Sequence, residues 1–234
     1  MDKNKIEEGL LNTRVMFLPW IGDNYELGIA FDNDKILGTK EKPGKKILVL
    51  GESHYIDDFD PEEPKNHQFT KEVISDYLKG REGSLNYQRW MNTFLKFERA
   101  VYGKVTSSQD SQEIWNHLAF YNFLQTPLCM ARMQPDDTNF EKSEEPFFKV
   151  LDLLRPDVIL VWGKRLYSKL PIGSDSVTGK EGEGVYVDGY RADSWVYSKN
   201  DGYKSIAISL YHPSVGFDWS FWNSIIKNGV TNGR

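Results

Sequence analysis

The stretch Ile47-Leu48-Val49-Leu50-Gly51-Glu52-Ser53-His54-Tyr55 opens with an unbroken aliphatic run and ends in a cluster of polar and aromatic side chains. Pro43-Gly44 stands before the run and Gly51 closes it. A short aliphatic run without alternation is the pattern of a strand covered on both faces, and such strands lie in the middle of a sheet. Glycine lets the chain turn sharply where the run stops. Glu52, Ser53, His54 and Tyr55 are thereby delivered to the carboxyl edge of the sheet, where open α/β folds hold their ligands.

Three further stretches read as buried strands: WNHLAFYNFL at 115–124, DVILVW at 157–162 and SIAISL at 205–210. Helical patterns separate them. The first spans 70–78 with Thr70 as its cap, and the second spans 87–102 with Trp90, Phe94, Phe97 and Val101 on one face, a spacing that assigns those rings to the core. A third spans 145–154 and is stopped by Arg155-Pro156, a fourth spans 165–170, and a closing helix at 218–226 turns Trp219, Trp222 and Ile226 inward. The glycine-rich segment 173–184 has no apolar period and reads as a surface loop, whereas 185–198 reads as a hairpin around Asp188-Gly189. This order predicts an α/β fold: a three-layer sandwich with a central, mostly parallel four-stranded sheet over residues 46–234. The loop-rich segment 1–45 is expected to pack on the same core as a lead-in, giving one compact domain.

Composition narrows the function classes. With 234 residues and 39% hydrophobic content the chain can bury a sizeable core. Cys129 is the lone cysteine, which excludes a disulfide framework and a cysteine-ligated cluster or zinc site, and points to a reducing cytoplasmic setting. Neither a signal-peptide pattern nor an apolar run long enough to span a bilayer is present. The formal charge of −5 argues against a protein that coats nucleic acid but leaves room for a local basic rim. A monomer without cofactor or metal is expected.

Two polar features stand out against the apolar runs. Asn122 sits among aromatics, where an unpaired amide is costly, so it either bonds backbone or presents its amide to a ligand at a strand end. The acidic, proline-bearing segment 57–71 is too polar for core and too long for a tight turn, and reads as an active-site loop. Asp57 and Asp58 within it are solvated charges, and His67 and His117 are packed or surface histidines.

Four motifs, taken in order, resemble the uracil-DNA glycosylase superfamily. Gly51-Glu52-Ser53-His54-Tyr55 is similar to the water-activating loop written GQDPY in one branch and GEAPG in another. Phe120-Tyr121-Asn122 is similar to the strand whose Asn reads the pyrimidine edge. Leu154 to Lys164 is similar to the core strand that ends in Gly, and His212-Pro213-Ser214 is the same as the superfamily's HPS loop. There are departures. His54 stands in place of Pro, Ser53 in place of one branch's catalytic Asp, the cluster cysteines of the GEAPG branch are absent, and Gly216 occupies the place of the leucine wedge.

The resemblance implies a DNA glycosylase and a role for each matched residue. Breaking a base–sugar bond builds positive charge on the sugar and negative charge on the departing pyrimidine, so the site needs a carboxylate for one and a donor for the other. Glu52 would orient water and face the sugar; His212 would hydrogen-bond the pyrimidine O2. Asn122 would read the flipped base, with Tyr55, His54 and Phe69 (or Phe59) around it. Ser53, Ser214 and Lys164 would contact the DNA backbone, and Phe217 would fill the gap left by the flipped base. Uracil is the default substrate, a modified cytosine such as one found in phage DNA the variant, and the role repair or defence accordingly. Competing readings are a non-catalytic DNA-binding protein of this fold, a serine hydrolase using Ser53 with His212, and a metal hydrolase using Glu52 with His54.

Overall fold

The computed structural model describes residues 3–32, 35–55, 66–128, 134–214 and 216–232. Phe59, Asp57, Asp58 and Cys129 lie outside them. The lead-in contributes helix α1 (Lys3–Leu11), strand β1 (Trp20–Ile21) and a hairpin of β2 (Ile29–Asp32) and β3 (Lys35–Leu37). Strand β4 is Ile47–Gly51, buried at every position. Three helices follow, α2 (Phe69–Glu82), α3 (Met91–Tyr102) and α4 (Ser108–Asn116), then β5 (Leu118–Asn122), α5 (Asp137–Leu154) and β6 (Val158–Trp162). After the short α6 (Lys164–Ser168) come β7 (Gly173–Ser174), β8 (Val177–Glu181), β9 (Val185–Val187), β10 (Tyr190–Ala192), β11 (Ser194–Ser198), β12 (Lys204–Leu210) and α7 (Trp219–Asn232).

The main sheet runs β1-β5-β4-β6-β12-β11-β8-β7. Its centre, β5-β4-β6-β12, is parallel throughout. Those are the four strands the apolar runs predicted. The sheet is larger than predicted, because β1 pairs antiparallel at one edge and β11, β8 and β7 extend the other. Segment 173–184, read as a loop, supplies most of that second extension. A strand solvated along most of its length needs no apolar period, and β8, between β11 and β7, buries only its first residue.

Alternate side chains of the central strands feed two cores, which makes the three layers. Ile47, Val49, Phe120, Leu160 and Trp162 face α2, α3, α4 and α7, whereas Leu48, Leu50, Tyr121, Ile159 and Val161 face α1 and α5. Helix starts were the least legible boundaries. The helix expected from 145 begins at Asp137, where Asp136 accepts a hydrogen bond from the Asn139 amide, so Pro146 lies inside it rather than in its first turn. Thr70 is not the cap of α2; Gln68 holds that position and Thr70 is buried. Among the described residues no helix is long and apolar enough to cross a membrane.

The strand order places a switch point between β4 and β6. From β4 the chain moves one way to β5 and later returns to the other side at β6, so the connections diverge and leave a crevice beyond the carboxyl ends of these two strands.

Candidate active site

A cleft of about 1440 Å³ opens at that crevice. Its floor comes from the carboxyl ends of the central strands: Gly51 to Tyr55 after β4, Asn122 at the end of β5, Gly163 to Leu166 after β6, and Tyr211, His212 and Ser214 after β12. Helices α2 and α3 and the residues before α3 form the far wall, with Phe69, Asp76, Arg89, Trp90 and Lys96 among its lining. Glu52, Asn122 and His212, which lie far apart in the chain, thus share one cavity because parallel strands put all their carboxyl ends on one edge.

Asn122 enters because Gly51, its register partner, has no side chain. A Cβ on Gly51 would lie 2.1 Å from Asn122 Oδ1, so any other residue there would push the amide out of place. On its other side Asn122 Nδ2 is 3.1 Å from His54 Nδ1. His54 Nε2 is 2.8 Å from Thr70 Oγ1 on α2. The tautomer that serves both contacts carries its proton on Nε2, donating to Thr70 and accepting from Asn122 on Nδ1. Phe17 and Phe69 meet the ring edge-to-face, each with centroids 4.8 Å away. His54, expected against the base, is therefore a buried strut that fixes the Asn122 amide, while Phe69 lines the cleft beside it.

Burial pushes the His54 imidazole down to about 3 from its ordinary 6.5. The unfolded chain takes up this proton below about pH 6.5 while the folded chain does not, so stability conferred by the neutral ring is complete above that pH and is lost on acidification toward pH 3. The expected slope from this one group is about 1.4 kcal/mol per pH unit, or roughly 2 kcal/mol between about pH 6.5 and 5. Urea unfolding of the unaltered protein and of His54→Gln at both pH values checks it; equal losses in the two would remove His54 as the cause.

Glu52 makes the site's strongest polar contact. Arg165, at the start of α6, reaches across the switch point and forks onto it: Nε donates to Oε2 at 2.9 Å and Nη2 donates to Oε1. The Glu52 side chain is 11% exposed and that of Arg165 is 44% exposed, so the guanidinium is the partner more open to solvent. The carboxylate in turn holds the Arg165 pKa above its usual value.

His212 lies across the cleft, its ring edge-to-face with Trp162. Its Nδ1 accepts from the Ser214 backbone N–H at 3.2 Å, with Ser214 Oγ at 2.8 Å. A backbone amide can only donate, so Nδ1 carries a lone pair and the neutral ring bears its proton on Nε2. Desolvation lowers its pKa; Glu52 acts to raise it and Arg165 to lower it. The HPS loop thus presents a neutral imidazole whose Nε2–H has no hydrogen-bond partner among the described residues.

Other residues depart from expectation. Phe217 is not a wedge: it is 7% exposed and stacks on Trp222 with centroids 5.7 Å apart, because α7 offers it an apolar face. Lys164 lines the cleft with its Nζ over the rings of Tyr190 and Tyr211. Ser53 Oγ is buried and, among the described residues, has no hydrogen-bond partner, so no base activates it as a nucleophile. Glu52 and His54 spend their polar atoms on Arg165, Thr70 and Asn122, not on a shared point between them. Tyr55 lines the cleft and is exposed. His67 and His117 each use Nδ1 on a backbone carbonyl, Met16 and Glu113 respectively.

Sequence reasoning missed Trp90 and undervalued Arg165. Trp90 shares the helical spacing of the buried Phe94, yet it precedes the first turn of α3 and stays 41% exposed at the cleft wall. Arg165, like Lys164 a candidate DNA anchor after the core strand, gave no signal of its pairing with Glu52, which is 113 residues away. No protein-family model matches the chain, and no curated protein matches it.

Proposed function

We propose that the protein is a monofunctional DNA glycosylase that takes a flipped pyrimidine into this cleft and hydrolyses its N-glycosidic bond. The observation that carries the reading is the meeting of Glu52, Asn122 and His212 in one cavity at the switch point, each from a different strand end. The reaction needs these three kinds of group. As the C1′–N1 bond lengthens, its electron pair goes to the pyrimidine and spreads to O2, where His212 Nε2–H donates to the growing negative charge. Glu52 faces the oxocarbenium-like sugar and orients water for attack on C1′, and the water's proton passes to the carboxylate or to solvent. Asn122, fixed by His54 and uncrowded by Gly51, selects the base edge.

The size of the cleft bears on the substrate. Pockets for small ligands commonly fall within roughly 300–1,000 Å³, and this one, at about 1440 Å³, extends past the base-reading end to Asp76, Arg89, Trp90 and Lys96. The base is uracil or a cytosine enlarged at its C5 position, with a role in base-excision repair or in defence against phage carrying modified DNA accordingly.

Mass spectrometry of free base released from DNAs holding uracil, mismatched thymine, and plain, hydroxymethylated or glucosylated cytosine tests the reading. Release of a single one of these bases is expected, unaffected by chelator, since the route uses only water and side chains. A folded protein that binds these DNAs and releases nothing would leave the fold as a binding module.

A further inference from the structure

We infer that Arg165 is a positioning residue that masks Glu52 in the free protein and exchanges it for a DNA backbone phosphate when substrate enters. The inference rests on the glycosylase reading insofar as DNA is the ligand. In the free molecule both Glu52 oxygens are committed to the Arg165 fork. A carboxylate so held has its charge neutralised at the place where the reaction asks for it, next to the sugar that turns cationic. The guanidinium is also the partner nearer solvent, with a side-chain exposure of 44% against 11%. Beside it, Lys164 and the HPS loop line the same cleft. A tetrahedral backbone phosphate also presents two anionic oxygens that the fork can grip bidentately, so the two anions compete for one cation. A duplex or single strand lying along this rim brings that competitor with it.

The exchange has a thermodynamic signature that needs no turnover. If DNA must draw Arg165 away from Glu52, then removing the carboxylate's charge makes DNA bind more tightly, and the gain depends on Arg165. The probe is a fluorescent oligonucleotide carrying 2′-fluoro-deoxyuridine, which resists hydrolysis, titrated at fixed ionic strength by anisotropy. Glu52→Gln is expected to lower Kd at least about threefold in the otherwise unaltered protein, and to lower it at least about threefold less in the Arg165→Gln background. Arg165→Lys, which keeps the charge and loses the fork, is run as the second background and is expected to shrink the gain in the same way. Weaker binding by Glu52→Gln would show that the carboxylate instead readies Arg165 for phosphate, and would overturn the exchange. An equal gain in all backgrounds would reduce it to loss of a repelling charge and overturn it as well. The glycosylase reading fails separately: base release can be absent while the cycle stands, and absence of any DNA binding sinks both.

Discussion

Glu52→Gln is expected to cut single-turnover base release by about a thousandfold or more while the protein still folds and still binds DNA. The substitution is nearly isosteric, so packing around the mostly buried side chain is kept, and its amide oxygen can still accept one bond from Arg165. What it loses is charge. A neutral amide neither stabilises a cationic sugar nor accepts a proton from water. Deleting one preorganised electrostatic group commonly costs about 10²–10³ in rate, and Glu52 is asked to serve both the sugar and the water, which places the expectation at the upper end. A purely structural Glu52 predicts another pattern: a fall in melting temperature through the lost ion pair, with activity recovered at lower temperature. Retention of the rate within about tenfold, with the fold intact, would take Glu52 out of the chemistry.

The parallel centre of the fold was legible because it obeys a rule that sequence displays directly. A strand buried on both faces must be apolar at every position, and β4, β5, β6 and β12 are the runs that meet it most closely. Once those strands are parallel, the polar residues after each must share an edge, so Glu52, Asn122 and His212 could be assigned to one site before any geometry was known. The outer strands β7 and β8 failed this route because solvated strands carry no apolar period, as Val177–Glu181 shows. Helix boundaries failed where the start depends on one side-chain bond, as at Asp136. His54 and Phe217 failed for a different reason. Their type fitted a site, but burial decides their role, and burial depends on partners such as Thr70, Asn122 and Trp222 that lie on other elements. Arg165 is the extreme case, an ion pair spanning two strand ends that no local pattern encodes.

His212→Ala carries the second large expectation, a loss of about 10²–10³ in the rate of base release, with a pH profile that separates the two chemical roles open to an imidazole. The Ser214 backbone N–H at 3.2 Å fills the Nδ1 lone pair, so the ring works as a neutral donor through Nε2. Desolvation at the cleft holds its pKa below the ordinary 6.5, Glu52 opposing and Arg165 assisting. The neutral form is therefore favoured at neutral pH. As pH falls through the lowered pKa the ring gains a proton on Nδ1, the Ser214 backbone N–H can no longer donate to it, only Ser214 Oγ remains as its partner, and the neutral donor form is depleted. The rate in the unaltered protein is accordingly expected to be flat around neutral pH and to decline on acidification through that lowered pKa, and His212→Ala is expected to remove that step from the profile. A rate that instead climbs on acidification would assign His212 the role of a general acid in its charged form. An unchanged rate in His212→Ala would place the stabilisation of the leaving base elsewhere in the cleft. The charge balance makes the neutral role the more economical one: the departing pyrimidine is a stable anion that needs a short hydrogen bond more than a proton, and a positive ring so near Arg165 would repel the guanidinium that the carboxylate already holds.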